Sequence, residues 1–215
     1  MQHAAILLLS LIMAAPAMGA TDQTLTRQQA LRELGKADPA ARRAAAARLG
    51  EVGLMSDVPA LIKALRDRDD ETREIAESAV WSVWGRSGDN AIDALYQQGV
   101  EQLNLGLAAD AIATFTRIIE RRPQFAEGWN KRATLYYSIG EFQKSLRDCD
   151  EVIKRNPLHF GALAGYGLIY SRLEQPKRAL GYFKRALRIN PNMQGVARNI
   201  ELLQKLIDEK RKRYI

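Results

Sequence analysis

The sequence predicts an all-α protein, and three observations carry that expectation. No segment alternates apolar and polar residues over the length of a strand. Apolar residues recur instead at three- and four-residue spacing, in segments closed by Gly or Pro. From Ile92 onward, one chemical pattern returns every 34 residues, a period that belongs to stacked helical units.

Composition agrees. Of 215 residues, 47% are hydrophobic, enough for a core, and 27% are charged, which is ordinary for a soluble globular chain. Aromatic residues make up only 7%, and abundant Ala favours closely packed helices over sheets. The net charge of +7 permits nucleic acid, acidic protein or anionic lipid as a partner. The cations are mostly interspersed with acids along helices, the pattern of a solvated face, so nucleic acid is the least expected of these.

Residues 1–20 read as a secretory signal. The apolar run Ala4 to Ala15 precedes small residues and a polar sequence from Thr21. At about a dozen residues it is too short to span a bilayer, which takes about twenty. Cleavage could follow Ala17, Gly19 or Ala20, with Ala20 favoured. Met1-Gln2-His3 departs from the pattern by lacking Lys or Arg. The expected location is periplasmic or secreted, and no Cys follows the run to carry a lipid anchor.

Residues 21–88 read as helical pairs. Gln29 to Leu34 is periodic and closes at Gly35. Asp38-Pro39 then caps an inner helix of almost pure Ala and Arg, Ala40 to Leu49, ending at Gly50 and Gly53. Asp57 opens the next helix, with Leu61, Ile62 and Leu65 on its apolar stripe. Glu71 to Trp84 follows, with Ile75, Ala79, Val80 and Val83 on one side. Arg42 and Arg73 occupy equivalent places in two units about thirty residues apart. The segment DVPALIKALRDRDDETREIAESAV resembles HEAT-like repeats, on Pro59, Asp67 and Arg73. That resemblance implies a structural role for Asp67 and Arg73, bonding along a stack. The first unit departs from it, with Lys36 where the Asp would stand. Trp81 and Trp84 share one helix face and are expected to seal this unit against the next domain.

Residues 89–193 hold three copies of one unit, at 92–125, 126–159 and 160–193, after the flexible break Gly85 to Gly88. A large residue stands near each start (Leu95, Trp129, Leu163), with a small one four on (Gly99, Ala133, Gly167). Each second helix carries Ala111, Ser145 or Ala179 where two helices must cross closely. Phe115, Cys149 or Phe183 follows, then Ile118, Val152 or Ala186, and the unit stops at Pro123, Pro157 or Pro191. Tyr136 joins Trp129 and Ala133 as a scaffold residue of the middle copy. In period and in nearly every signature position these copies are similar to the tetratricopeptide repeat (TPR). Each pair leaves an apolar side uncovered, so the pairs must stack, giving a right-handed α-solenoid. Gly161, Gly165 and Gly167 crowd one helix; tight packing is the preferred reading, with a shallow ligand floor as the alternative. Residues 194–215 form an amphipathic cap with Val196, Ile200, Leu203 and Ile207 on one stripe. It ends in the basic tail Lys210 to Arg213, suited either to the helix dipole or to an acidic or phosphate-bearing contact.

Catalytic chemistry is not expected. Beyond residue 20, His159 is the sole histidine and Cys149 the sole cysteine, so one chain cannot build a His/Cys zinc site. Cys149 falls on an apolar stripe and reads as a small hydrophobe. No phosphate-binding glycine loop, nucleophile elbow or metalloprotease motif is present. The cluster Asp148, Asp150 and Glu151 looks solvated, and no cofactor is implied.

The TPR resemblance implies a concave face lined by the first helix of each unit. It puts Tyr96, Val100, Leu103, Asn130, Thr134, Tyr137, Ala164 and Leu168 in the groove, with Asp93, Glu127 and Arg172 at its edges. Some TPR domains grip a terminal carboxylate with Lys, Asn and Arg. The corresponding places here hold Tyr96, Val100, Lys131, Gly161 and Gly165, so that clamp is not expected. The implied function is an exported scaffold binding a protein or peptide segment. Two rivals are an envelope-assembly subunit that binds anionic polymer or lipid, and an accessory to a partner enzyme.

Overall fold

The structure is a computed structural model and describes residues 24–212; the expected signal segment and Arg213 of the basic tail lie outside them. Among the described residues there are only helices, as the sequence predicts: α1 (Arg27–Glu33), α2 (Pro39–Val52), α3 (Val58–Ala64), α4 (Asp70–Trp84), α5 (Asn90–Asn104), α6 (Ala108–Arg121), α7 (Ala126–Ser138), α8 (Phe142–Arg155), α9 (Phe160–Arg172), α10 (Pro176–Ile189) and α11 (Gln194–Lys212), with a 3₁₀ turn at Met55–Asp57.

Local chemistry sets most boundaries. Thr26 closes a capping box with Gln29 at α1. Asp38 accepts from the backbone N–H groups of Ala40 and Ala41, Asp69 from that of Thr72, and Asp89 from those of Ala91 and Ile92. Asp57 opens α3 as expected, though without a cap bond; its carboxylate is held by both the Nε and an Nη of Arg27, each at 2.6 Å. One sequence expectation shifts here. Helix α2 runs through Gly50 to Val52, because Gly50 is where α2 approaches α4: a Cβ there would lie 3.3 Å from the Ala79 backbone.

The three repeats pack as their signatures imply. Each first helix crosses its second where side chains are complementary in size. At Gly167 a Cβ would fall 2.4 Å from the Phe183 ring, and at Gly99 2.8 Å from the Phe115 ring. The middle copy pairs larger with smaller in reverse: Ala133 and Cys149 are both buried, and the Ser145 hydroxyl donates to the Ala133 carbonyl at 2.7 Å. Pro123, Pro157 and Pro191 each follow the C-cap of a second helix directly, as expected of a residue that cannot continue one. Left-handed turn residues recur 34 apart at Gly106, Gly140 and Glu174, with φ of 75°, 80° and 55°. Val196 of α11 is buried against the last pair, and Ile200, Leu203 and Ile207 are half-buried.

The N-terminal helices sit where the pattern alone did not place them. They fold back along the edge formed by the junctions between repeats. At the first junction, Arg122 Nη2 donates to the Ser87 carbonyl at 3.3 Å. At the second, Trp84 stacks on His159 and Trp81 meets Phe160 edge-on at 5.2 Å. At the third, Asn192 Nδ2 donates to the Leu65 carbonyl at 2.8 Å and Arg66 to the carbonyls of Arg188 and Ile189. Phe160 belongs to the N-terminal core, together with Leu49, Leu61, Val80 and Trp84. The seal expected of Trp81 and Trp84 is therefore present, and Gly161 serves it: a Cβ there would lie 2.6 Å from the Trp81 ring.

Within the N-terminal unit, one contact repeats at the expected interval. Arg42 Nη1 donates to the Lys36 carbonyl at 3.0 Å, and Arg73 Nη1 to the Asp67 carbonyl at 2.9 Å. Arg42 also grips the Asp67 carboxylate of the following pair in a fork, both bonds at 2.7 Å. Arg73 has no such partner and turns to Asp70 at 2.7 Å.

Candidate protein-binding groove

The first helices of neighbouring repeats, α5 with α7 and α7 with α9, approach each other more closely than their second helices do. That wedge puts α5, α7 and α9 on the inside of the curve.

The N-terminal ends of these inner helices are already occupied by the chain itself. Asp93 on α5 accepts from the Ser87 backbone N–H at 2.7 Å and from its hydroxyl at 2.6 Å. Tyr96 lies beside Gly85 and packs edge-on against Phe125 at 5.5 Å and Phe115 at 6.1 Å, leaving it 8% exposed. Gly161 on α9 lies under Trp81. Tyr96 was expected in the groove; its ring instead joins the core of the first repeat, because Phe115 and Phe125 offer an apolar slot where Gly99 makes room. Ala164 is likewise buried, in the core it shares with Leu163 and Phe183.

Glu127, expected at the groove edge, is 1% exposed, and His159 is fully buried beside it. The Ala162 backbone N–H donates to His159 Nδ1 at 2.9 Å, so Nδ1 is the acceptor and the ring proton sits on Nε2. Nε2 then donates to Glu127 Oε1 at 2.6 Å, while Asn130 Nδ2 reaches the other oxygen at 3.1 Å and the Tyr96 hydroxyl donates to it at 3.4 Å. Burial opposes ionisation of Glu127, but the hydrogen bonds from His159 Nε2 and Asn130 Nδ2 and the Lys131 ammonium favour it and hold the carboxyl below its usual range. Burial also pushes the Tyr96 phenol well up. The sequence carried one faint signal of this pair: 127 and 159 are almost one repeat apart, and each stands at the start of an inner helix.

The C-terminal halves of the inner helices remain open. Thr134 is exposed and Leu168 is 38% exposed, while Val100, Leu103 and Tyr137 are half-buried; Asn130, in the N-terminal half of α7, is half-buried and tied to Glu127. Tyr137 leans on Phe142 at 5.9 Å, and Arg172 Nε donates to its hydroxyl at 3.4 Å. The turns beyond these helices add Leu105, Leu107 and Ile139, exposed by 67%, 46% and 50%. The open half of the curve is thus apolar, with a Thr, a Tyr and an Arg as its polar points.

Other expected positions are structural. Trp129 donates from Nε1 to the Pro123 carbonyl at 3.0 Å and lies under the guanidinium groups of Arg155 and Arg132, at 4.8 Å and 5.2 Å. Arg132 also sits over Tyr136 at 5.7 Å. The acidic cluster is not solvated as a whole. Asp148 is buried and held by both the Nε and Nη2 of Arg132, each at 2.8 Å; Asp150 accepts from the Tyr166 hydroxyl, and Glu151 pairs with Arg155. Cys149 is buried, which pushes its thiol up to about 12 and leaves it inert. Among the described residues no group of His, Cys, Asp and Glu is placed to hold a metal ion, and no helix is long and apolar enough to cross a membrane.

Comparison with known proteins bears on the repeats. The sequence profile of the tetratricopeptide repeat matches residues 96–151 and 130–193. A TPR repeat-containing protein of Rhizobium etli is 29% identical over 138 residues, 64% of this chain and 68% of that protein. Hsp70-Hsp90 organizing protein 1 of Glycine max is 24% identical over 117 residues, 53% of this chain but only 20% of its own length. The first TPR of Spaghetti, solved bound to an HSP90 peptide, superposes with a TM-score of 0.53 at 19% identity, covering 54% of this chain and 93% of that one. At that identity the likeness shows the fold alone. Over residues 96–193 the chain is similar to tetratricopeptide repeats in sequence profile.

Proposed function

We propose that the chain is a non-catalytic, exported scaffold whose open half-groove takes an apolar segment of a partner protein. The observation that carries this reading is the run of exposed apolar side chains, Leu168, Ile139, Leu105 and Leu107, along the C-terminal ends of the inner helices. Exposed apolar side chains recurring toward one end of the inner helices suit an interaction site. Thr134, Tyr137 and Arg172 supply hydrogen bonds that fix the segment's register. The related TPR proteins support an interaction role in general, and one is seen with a peptide. A terminal-carboxylate grip is not part of the reading, since Tyr96 is buried and Gly161 lies beneath Trp81.

Export rests on the apolar run Ala4 to Ala15 and the small residues up to Ala20. The HEAT-like character of residues 21–88 rests on the recurring Arg42 and Arg73 contacts. In this reading the N-terminal unit clamps the three repeat junctions and fixes the curvature of the groove.

A second reading, attachment to an anionic polymer or lipid, has one observation in its favour. A cleft of about 750 Å³ in the N-terminal unit is rimmed by Lys36, Lys63, Arg66 and Arg68, all exposed, while its one acid, Asp67, is taken by Arg42.

The two are separated by a pulldown from the native compartment with wild type, Thr134→Arg/Leu168→Arg and Lys36→Glu/Lys63→Glu. The groove reading expects partners to vanish only with the groove variant. Loss only with the charge variant, with wild-type capture that falls away as salt rises, would instead support the anionic surface.

A further inference from the structure

A second, smaller cavity lies where the N-terminal unit meets the first and second repeat junctions. It encloses about 140 Å³, and its walls include Trp84, Arg86, Arg122, Arg155 and Asn156, with Phe125 on the apolar side. No carboxylate lines it. Two acids outside it engage these residues: Glu151 pairs with Arg155, and Asp93 accepts from Ser87 and carries its charge near Arg86.

Among the described residues, two of these carry buried N–H groups with no acceptor, Trp84 Nε1 and Asn156 Nδ2; Asn190 Nδ2, one repeat on and outside the cavity, shares that state. A buried donor left unpaired costs about 1–3 kcal/mol, so two in the walls of one cavity need an explanation. Three guanidinium groups share those walls. Arg86 donates to the carbonyls of Gly50 and Gly53, and Arg122 makes a single long bond to Ser87. Each guanidinium has five N–H groups, so donors remain. Burial lowers the Arg86 guanidinium by more than the Asp93 charge raises it, and a further negative charge would offset the remainder. In volume, the cavity matches one oxyanion of four or five heavy atoms, or roughly four to five waters at about 30 Å³ each.

We propose that this junction cavity binds a single small oxyanion, a carboxylate or a phosphate group. The indole, amide and spare guanidinium donors of its wall residues would hold the anion, and the ligand would tie the N-terminal unit to the repeats. The site is separate from the half-groove, and its test does not depend on any partner of the groove.

The test follows the Trp84 indole N–H resonance in ¹H–¹⁵N spectra of ¹⁵N-labelled protein, assigned by elimination with Trp81→Phe and Trp129→Phe. Sodium acetate and sodium phosphate are titrated separately against sodium chloride at matched ionic strength. Either oxyanion should move the resonance saturably, and the same salt should raise the melting temperature. Acetate alone would identify a carboxylate as the ligand class, and phosphate alone a phosphate. Arg122→Gln removes an exposed side chain with one weak internal bond, so it should fold, as its melt without added anion will show. It should weaken the apparent affinity about tenfold, the loss expected for one charge-assisted bond. A shift no different from that with chloride would mean that the cavity holds solvent only, and the proposal fails. It fails equally if Arg122→Gln titrates as wild type does.

Discussion

The His159 imidazole lies flat on the Trp84 indole, with ring centroids 4.3 Å apart and planes 17° from parallel. Together with the Trp81–Phe160 contact, this stacking joins the N-terminal unit to the start of the third repeat's inner helix. It also closes the apolar cover over the Glu127–His159 hydrogen bond. Trp84→Ala would remove a large, 3%-exposed side chain from that seam. The expected loss is about 3–5 kcal/mol in urea unfolding. Faster proteolysis between Gly85 and Gly88 should accompany it. A variant as stable and as protease-resistant as wild type would show that the seam does not hold the two parts together.

The repeat crossings predict a size-swap cycle. Gly99→Ala and Gly167→Ala would drive a methyl into Phe115 and Phe183, and overpacking of this kind costs about 1–3 kcal/mol. Cys149→Phe should destabilise the middle repeat for the same reason. Adding Ala133→Gly to Cys149→Phe recreates the combination found in the flanking repeats and should recover part of the loss. Chemical denaturation of the four members of this cycle checks the coupling. Strict additivity would contradict it.

Glu174 occupies the left-handed turn position that Gly106 and Gly140 hold in the other two repeats. A side chain there costs about 1 kcal/mol. Glu174→Gly should therefore raise the melting temperature, against the usual expectation for a glycine substitution. A lowered value would mean that the Glu174 side chain contributes more than the backbone strain costs.

Acid should unfold the protein through specific carboxylates. Glu127, Asp57 and Asp67 all have their carboxyls held below ordinary values of 4.5 for Glu and 3.8 for Asp; Glu127 is held there by His159 against burial, Asp57 by Arg27 and Asp67 by Arg42. A folded-state value below the unfolded one contributes stability that is complete above the unfolded value. That contribution is lost as pH falls through the folded value. Melting temperature should thus be flat near neutrality and fall below about pH 4.5, the ordinary Glu value. Glu127→Gln should flatten that fall, and identical profiles for the two proteins would remove Glu127 from the account.

The scaffold was legible in the sequence because its residues are fixed by close packing. Gly99, Ala133, Gly167 and the three prolines sit where only small or helix-stopping residues fit, so their spacing reports the fold directly. The groove was legible only in part. Thr134 and Leu168 are exposed and Tyr137 is half-buried, but Tyr96 and Ala164 are buried, and Glu127 is held by His159. What hid this was the path of the N-terminal unit. Nothing in the periodicity of residues 27–84 tells whether those helices continue the stack or fold back along its edge. That choice is made by a few contacts between distant parts of the chain, Trp84 with His159, Trp81 with Gly161 and Asn192 with Leu65. Asp148 was misjudged for a related reason, since its partner Arg132 lies on the facing helix.

The half-groove is tested most directly by site-specific photo-crosslinking in the native compartment. A benzophenone amino acid is placed in turn at Thr134, at Leu168, and at Gln143 and Lys184 on the outer helices. The account predicts one shared crosslinked protein from Thr134 and Leu168, and none from Gln143 or Lys184. Crosslinks that arise only from the outer helices, or equally from all four positions, would contradict it.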